Sequence, residues 1–312
     1  MGASERQDPA VTSARPAGTG HGAVGLAIVT VAYASQEPLE RLAADLTRQT
    51  SAPQRWLVVD NAPRSSPLRL SEGLQAAAAE RLEGGEGEGF GEGCNRAFER
   101  LAADHWQGWV WLLNPDTALG ESSVVERFSR LLATQPGRAL VGTAVWTSAG
   151  DLEASGGWID AGVAFRRRKL QAAHLEGARL QPLSLNWLSG CSLALRPTLH
   201  APPARFEPAL PLYYEDMDLC LRLGRAGAPV LWTSAVAVSH RVGSGSGGDP
   251  RRRQRLTTLS YWRFLQRHCS FPVRLARGCR LVAMALMRFP LSPRRSHAVL
   301  SGLAEAVRHP LR

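Results

Sequence analysis

The chain has 312 residues, with 37 Lys and Arg against 27 Asp and Glu, a formal net charge of +10 and a pI near 10.3. A hydrophobic content of 44% fits one large α/β domain with appendages, or two domains, around a substantial core. The longest charge-free apolar run near the C-terminus, Leu281 to Met287, is far below the ~20 residues that span a bilayer.

The positive charge is almost wholly arginine, Lys169 being the only lysine. It favours phosphate-bearing substrates, anionic lipid or nucleic acid without choosing among them. Five cysteines, an odd number with no CxxC spacing, suit a reducing compartment. No basic segment followed by an apolar stretch marks a secretory signal near Met1. The expected location is therefore cytoplasmic.

Residues 1–22 are rich in Gly, Ala, Ser, Thr and Pro without periodicity, and a disordered tail is expected there. Leu26 to Tyr33 reads as a first strand, Pro38 to Gln49 as a helix, and Trp56 to Val59 as a second strand ending in Asp60-Asn61. Strand, helix, strand at this spacing is a βαβ unit and hence a parallel sheet. Asp60 stands at a strand's carboxyl end. There it can serve a ribose or pyrimidine, or merely an Asx-turn.

The Gly-dense run Gly84 to Gly93 contains no Gly-x-Gly-x-x-Gly register, and no Gly-Lys-Ser/Thr occurs in the chain. A flexible loop leading into a helix with Asn95, Ala97, Phe98 and Leu101 remains. Next comes the stretch that organises the chain, Trp109-Val110-Trp111-Leu112-Leu113 running into Asn114-Pro115-Asp116-Thr117. Its unbroken apolar character suits a strand buried on both faces. Pro115 should end its pairing and leave Asp116 just past the carboxyl end, where open α/β sheets bind ligands.

A helix over Ser122 to Leu132 and a strand over Leu140 to Trp146 follow. Gly150 to Gln181 reads as irregular, with Arg166 to Lys169 as a loop cluster that is either solvated or a surface for an anionic acceptor. Asn186 to Arg196 brings Trp187 and Gly190 before a short alternating segment. Tyr213 to Cys220 then crowds Glu215, Asp216 and Asp218 at the start of a helix, with Leu219, Leu223 and Ala226 expected inward and Gly227 as the cap. Val230 to Val238 is a further strand, followed directly by His240. From Asp249 the composition turns Arg-rich and helical. Arg274, Arg277 and Arg280 form one stripe, with Leu275, Cys279, Val282 and Leu286 largely on another. Such a helix either lies on an anionic membrane surface or packs its apolar side on the domain.

Taken together and in order, Val29 to Tyr33, Val58 to Asn61, Gly89-Phe90-Gly91 with Asn95, Leu112 to Thr117, Trp187 to Arg196, Tyr214 to Cys220, and His240 resemble the inverting glycosyltransferases of family 2, in their rhamnosyltransferase-like branch. The likeness covers roughly residues 24 to 245. It implies a GT-A α/β fold, a central mostly parallel sheet flanked by helices. A catalytic domain over 23–248 and a basic helical extension over 249–312 are expected. It further implies a nucleotide-sugar donor held by Thr30, Tyr33, Asp60, Gly89, Asn95, Asn114 and Asp116. Mn²⁺ or Mg²⁺ would sit on Asp116 and His240. Asp216 would be the general base beside Glu215, and Trp187 and Gly190 would lie on the side of a glycan or lipid-linked acceptor. Asn114 stands where the family's signature begins with Asp, and Gly87 and Cys94 depart from its glycine loop. Those departures leave a catalytically degenerate binding protein as the alternative. A nucleic-acid binder is a weaker one, because no aromatic residues interleave a basic stripe.

Overall fold

A computed structural model of the chain describes residues 25–153, 155–160, 165–241 and 249–311. The expected disordered tail lies outside them. In chain order the elements are β1 (Leu26–Ala32), α1 (Gln36–Thr47), β2 (Arg55–Asp60), α2 (Glu72–Ala76), β3 (Ala79–Glu83), α3 (Phe90–Ala103), β4 (Trp109–Leu113), β5 (Thr117–Ala118), α4 (Val124–Ala133), β6 (Leu140–Thr147), β7 (Gly156–Asp160) and β8 (Arg166–Lys169). The second half continues with α5 (Leu175–Leu180), β9 (Leu183–Ser184), β10 (Trp187–Leu188), β11 (Ser192–Leu195), α6 (Glu215–Arg225), β12 (Val230–His240), α7 (Pro250–His268), α8 (Phe271–Arg288) and α9 (Pro293–Arg308).

The main sheet runs β3-β2-β1-β4-β11-β6-β12-β5, with β9 added on β12. β3, β2, β1 and β4 are parallel, as are β6 and β12, while β11 lies antiparallel between β4 and β6. Period-2 alternation explains why its strands read as unbroken apolar runs. Ala27, Val29, Val110 and Leu112 face α3, α6 and α7, whereas Leu26, Ile28, Trp109 and Trp111 face α1, α2 and α4. Each such large side chain taken fully out of water contributes about 1.5–3 kcal/mol. Indole donors fix the core polar groups. Trp111 Nε1 donates to Ser192 Oγ at 3.0 Å, and Trp232 Nε1 donates to the Thr143 carbonyl at 2.9 Å.

Several expectations are corrected. Gly150 to Gln181 is not irregular: β7 and β8 pair antiparallel and, with β10, form a second three-stranded sheet. The Arg166 to Lys169 cluster is thus a strand. Ala226 is exposed, and the chain turns at Gly227 (φ +83°) to bury Ala228 instead. His240 ends β12 rather than following it. α2 leads into β3, an edge strand of the main sheet that the residue pattern did not announce.

The C-terminal helices join the main-sheet half of the chain through α7. Phe264 and Leu265 are fully buried in the same core as α6. Asp218 of α6, 0% exposed, accepts from Arg222 Nε at 2.7 Å, His268 Nε2 at 2.8 Å and Arg267 at 3.3 Å. Arg277 is not simply solvated, because it donates to the Phe165 carbonyl at 3.1 Å. α8 nevertheless leaves Phe271, Leu275, Leu286 and Met287 exposed. Among the described residues no helix is long and apolar enough to cross a membrane. All five cysteines are free; Cys94, Cys191 and Cys220 are buried, and Cys279 is exposed.

Candidate active site

The carboxyl ends of β1, β2 and β4 lie side by side, so Tyr33, Asp60 and Asn114 to Asp116 emerge on one rim. Thr117 closes the Asn-Pro-Asp turn by donating from Oγ1 to the Asn114 carbonyl at 2.7 Å. β5 then pairs antiparallel with the end of β12, aligning Thr117 with His240. That pairing brings His240 Nε2 within 3.1 Å of Asp116 Oδ1, while its Nδ1 lies 2.8 Å from Glu153 Oε2. Hydrogen bonds from the ring to Asp116 and Glu153 push the imidazolium up to about 10.

Across the rim, α6 is launched by an unusual turn. Tyr213 and Tyr214 both adopt positive φ, 63° and 68°, a conformation that costs bulky residues about 1–3 kcal/mol each. The turn aims two adjacent carboxylates in different directions. Asp216 points into a cavity of about 320 Å³, where Trp187 and Tyr214 also line the wall. Its Oδ2 accepts from the Gly190 N–H at 3.0 Å and its Oδ1 from the Met217 N–H at 2.7 Å. Burial raises its carboxyl above the usual range, although those two N–H groups oppose the shift. Glu215 is instead buried near Cys94 of α3, and its Oε2 has no hydrogen-bond partner. Burial, then the charge of Asp216, pushes it up to about 8. At neutral pH it is mainly a neutral acid.

A short backbone path joins the two halves. Gly190 donates to Asp216, and the Cys191 carbonyl next to it accepts from the Asn114 N–H at 3.2 Å. Burial, together with the carboxylates of Glu153, Asp116 and Asp216 around it, holds the Cys191 thiol well above its ordinary range. Gly190 suits the path because a Cβ there would stand 2.7 Å from the Phe90 ring.

The remaining expected donor residues divide. Tyr33 and Gly89 line a cavity of about 280 Å³ that Arg252 and Arg253 of α7 also enter. Asp60 borders a separate cavity of about 300 Å³ with Ser35, Gln36 and Arg69. Its Oδ2 accepts from Leu68 N–H at 2.8 Å and Arg81 at 2.9 Å, and its Oδ1 from Ala62 N–H at 3.0 Å. Thr30 and Asn95 lie outside these cavities. Thr30 Oγ1 accepts from Trp56 Nε1 at 3.0 Å inside the sheet. The Asn95 amide is used at both ends by the Phe206 backbone, at 3.0 and 2.8 Å. Both are fasteners rather than cleft residues. Glu153 was missed in the sequence because it is an isolated charge in a segment without periodicity, and Arg252 and Arg253 because they belong to an arginine run that reads as solvated.

Among the described residues no three His, Cys, Asp or Glu side chains converge on a metal position. Asp116 and His240 offer one oxygen and one nitrogen donor close together. Mg²⁺-type sites characteristically use one or two carboxylates and complete their shell with substrate phosphates and water. The pair fits that pattern, and the imidazole suits Mn²⁺. A cation there would have to displace the proton that Asp116 and Glu153 hold on His240.

The sheet order, the flanking helices and the acid-rich rim define the GT-A fold of the glycosyltransferases. Two solved structures share it: GalNAc-T7 with UDP, GalNAc and Mn²⁺ (TM-score 0.55, 13% identity, 78% of this chain) and S. aureus TarS (TM-score 0.50, 13% identity, 78% of this chain). The chain spans only 48% and 43% of those two proteins. By sequence it is similar to the N-acetylglucosaminyl-diphospho-decaprenol L-rhamnosyltransferase of Mycobacterium tuberculosis strain H37Rv, 28% identical over 72% of this chain and 78% of that protein. No family model matches the chain. Fold and relative together support a glycosyltransferase and bear out the rhamnosyltransferase-like resemblance.

Proposed function

We propose that the chain is an inverting glycosyltransferase that moves a sugar, rhamnose by its relative's name, from a nucleoside diphosphate to a hydroxyl of a lipid-linked glycan. The observation that carries this reading is the Gly190–Cys191 path. It sets the cavity-facing carboxylate of Asp216 opposite the Asp116–His240 pair across a single strand end.

The acceptor sits in the Asp216 cavity against Trp187, and Asp216 takes its hydroxyl proton as the oxygen bonds to the anomeric carbon. The bond from that carbon to the diphosphate breaks, and the nucleoside diphosphate leaves with the electron pair. Attack opposite the leaving group inverts the centre. The base occupies the cavity beside Asp60, where only Oδ1 retains a free acceptor position for a base or ribose. Mg²⁺ or Mn²⁺ bound by Asp116 and His240 would supply Lewis-acid neutralisation of charge on the leaving diphosphate. Neutral Glu215 leaves Asp216 as the single anionic base of the pair.

α8 gives a lipid-linked acceptor a place. Exposed Phe271, Leu275, Leu286, Met287, Phe289 and Leu291 stand with exposed Arg280, Arg288, Arg294 and Arg295, a composition suited to an anionic bilayer surface. The protein would then be peripheral at the cytoplasmic face of the membrane.

Thermal shift with UDP, dTDP, GDP and ADP, each with and without Mn²⁺ or Mg²⁺, tests the donor site. One nucleotide at ~100 times its dissociation constant should stabilise the fold by about 2.7 kcal/mol, and only with the metal. No shift with any nucleotide would favour a degenerate relative without catalysis.

A further inference from the structure

The cavity that holds Asp216 has a second wall, β8. Side chains along a strand alternate between faces. Arg168 turns away and stacks over Trp158, its guanidinium carbon 5.0 Å from the ring centroid. Arg167 and Lys169, one residue to either side, line the cavity with Asp216, Trp187 and Ser189. β7 flanks β8 in the same sheet, with Gly157 beside Lys169 and Ile159 beside Arg167. Among the described residues neither Arg167 nor Lys169 is engaged in an ion pair or side-chain hydrogen bond. The positive charge of Arg167 reaches Asp216, Tyr214 and Tyr261. Two unpaired cations therefore share a cavity with one carboxylate, and that carboxylate is occupied by two backbone N–H groups.

A neutral sugar needs no such excess of charge. Trp187 and Tyr214 supply apolar and aromatic surface for a sugar ring. A planar guanidinium and a neighbouring ammonium are suited to the oxygens of a phosphate, the first as a two-pronged donor and the second as a point charge. We propose that Arg167 and Lys169 bind a phosphate or diphosphate ester carried by the acceptor sugar, and that this contact selects charged acceptors over uncharged glycosides. The inference rests on the glycosyl-transfer reading above and adds the chemistry of its acceptor. The ester brings the anion and the accepting hydroxyl in one molecule. Free inorganic pyrophosphate has the same charge without the hydroxyl, so it should compete with the acceptor rather than react.

The test uses the full chain, dTDP-rhamnose with Mn²⁺, and two acceptors. One is N-acetylglucosaminyl diphosphate on a short alkyl chain; the other is N-acetylglucosamine joined to the same chain by an uncharged glycosidic bond. Arg167→Ala with Lys169→Ala should raise KM for the charged acceptor by about 10- to 100-fold, the scale of losing charge-assisted hydrogen bonds. Turnover at saturation should change little, and KM for the uncharged acceptor should stay as in the parent. Inorganic pyrophosphate should raise the parent's KM for the charged acceptor and lose that effect in the double variant. Arg168→Ala, on the other face of the same strand, should change none of these. An unchanged KM in the double variant, or an equal rise for both acceptors, would overturn the inference while leaving glycosyl transfer standing. If the parent transfers to neither acceptor and no nucleotide shifts its melting, both readings fall together.

Discussion

Asp218 is the strongest test of how the C-terminal helices are tied to the main-sheet half of the chain. Its carboxylate is fully buried and joins α6 to α7 through His268 and Arg267, with Arg222 of its own helix as a third partner. Burial alone would raise its carboxyl, but His268 and the two arginines outweigh it, and the group is held below the usual carboxylate range. Asp218→Asn keeps the shape and removes the charge. Breaking a buried ion pair from one side costs about 3–5 kcal/mol. Arg222 and Arg267 are partly exposed and keep other partners, the Arg205 carbonyl and Glu207. The loss should therefore fall near the lower end, about 3 kcal/mol. At roughly 2 °C per kcal/mol for a chain of this size, the melting midpoint should drop by about 6 °C. Urea unfolding followed by tryptophan fluorescence measures the loss directly. Because the group's folded-state proton affinity is depressed, the stability it confers is present above the ordinary carboxylate range. It should disappear in the parent as pH falls through the folded value. A loss under about 1 kcal/mol, or an acid-side slope retained in the variant, would refute the argument that this carboxylate clamps α7.

Asp216→Asn should cut turnover by about 10²- to 10⁴-fold, with nucleotide binding by thermal shift unchanged; undiminished turnover removes Asp216 from the chemistry. Glu215→Gln should flatten the pH dependence of stability on the alkaline side. Glu215 holds its proton more tightly folded than unfolded, so its ionisation destabilises the fold as pH climbs from the ordinary 4.5 toward about 8. Parallel urea titrations at pH 5 and pH 8.5 check this, and equal parent and variant slopes would contradict it. Gly190→Ala places a methyl within 2.7 Å of the Phe90 ring. It should cost about 1–3 kcal/mol of overpacking and lower transfer; a variant of parental stability and rate would show that the path tolerates a side chain. Leu275→Glu with Leu286→Glu should abolish co-sedimentation with anionic vesicles without lowering the melting midpoint, since both residues are already exposed. Vesicle binding equal to the parent's would remove α8 from any membrane contact.

Truncation near residue 250 is a poorer probe of α8 than it looks from the sequence. It would strip Phe264 and Leu265 from the core and two partners, Arg267 and His268, from Asp218. The sequence pattern could not reveal this, because α7 begins as a run of arginines and its buried apolar residues, Leu259, Phe264 and Leu265, come only in its second half. The strands β1, β2 and β4 were legible because they are buried on both faces and admit few polar residues. β3, with the sequence Ala-Glu-Arg-Leu-Glu, and β8, all Arg and Lys, lie at sheet edges where charge is tolerated, so neither looks like a strand. Asp116, Asp216 and His240 stood out as polar residues placed against apolar ones. Their assembly depends on the β5–β12 pairing and on two left-handed tyrosines, and local residue preferences foretell neither. The scaffold also engages Thr30, through Trp56, and Asn95, through the Phe206 backbone, which a polar residue next to a cleft motif does not disclose in the sequence.

The distribution of thiols has a practical consequence. Cys94, Cys191 and Cys220 are sealed in the core, and burial holds each thiol in its protonated, unreactive form. Cys269 is half covered, whereas Cys279 stands exposed midway along α8. A brief maleimide treatment of the native protein should therefore place a fluorophore chiefly on that helix, with no engineered cysteine. An environment-sensitive dye there would report in real time whether α8 leaves water when vesicles are added.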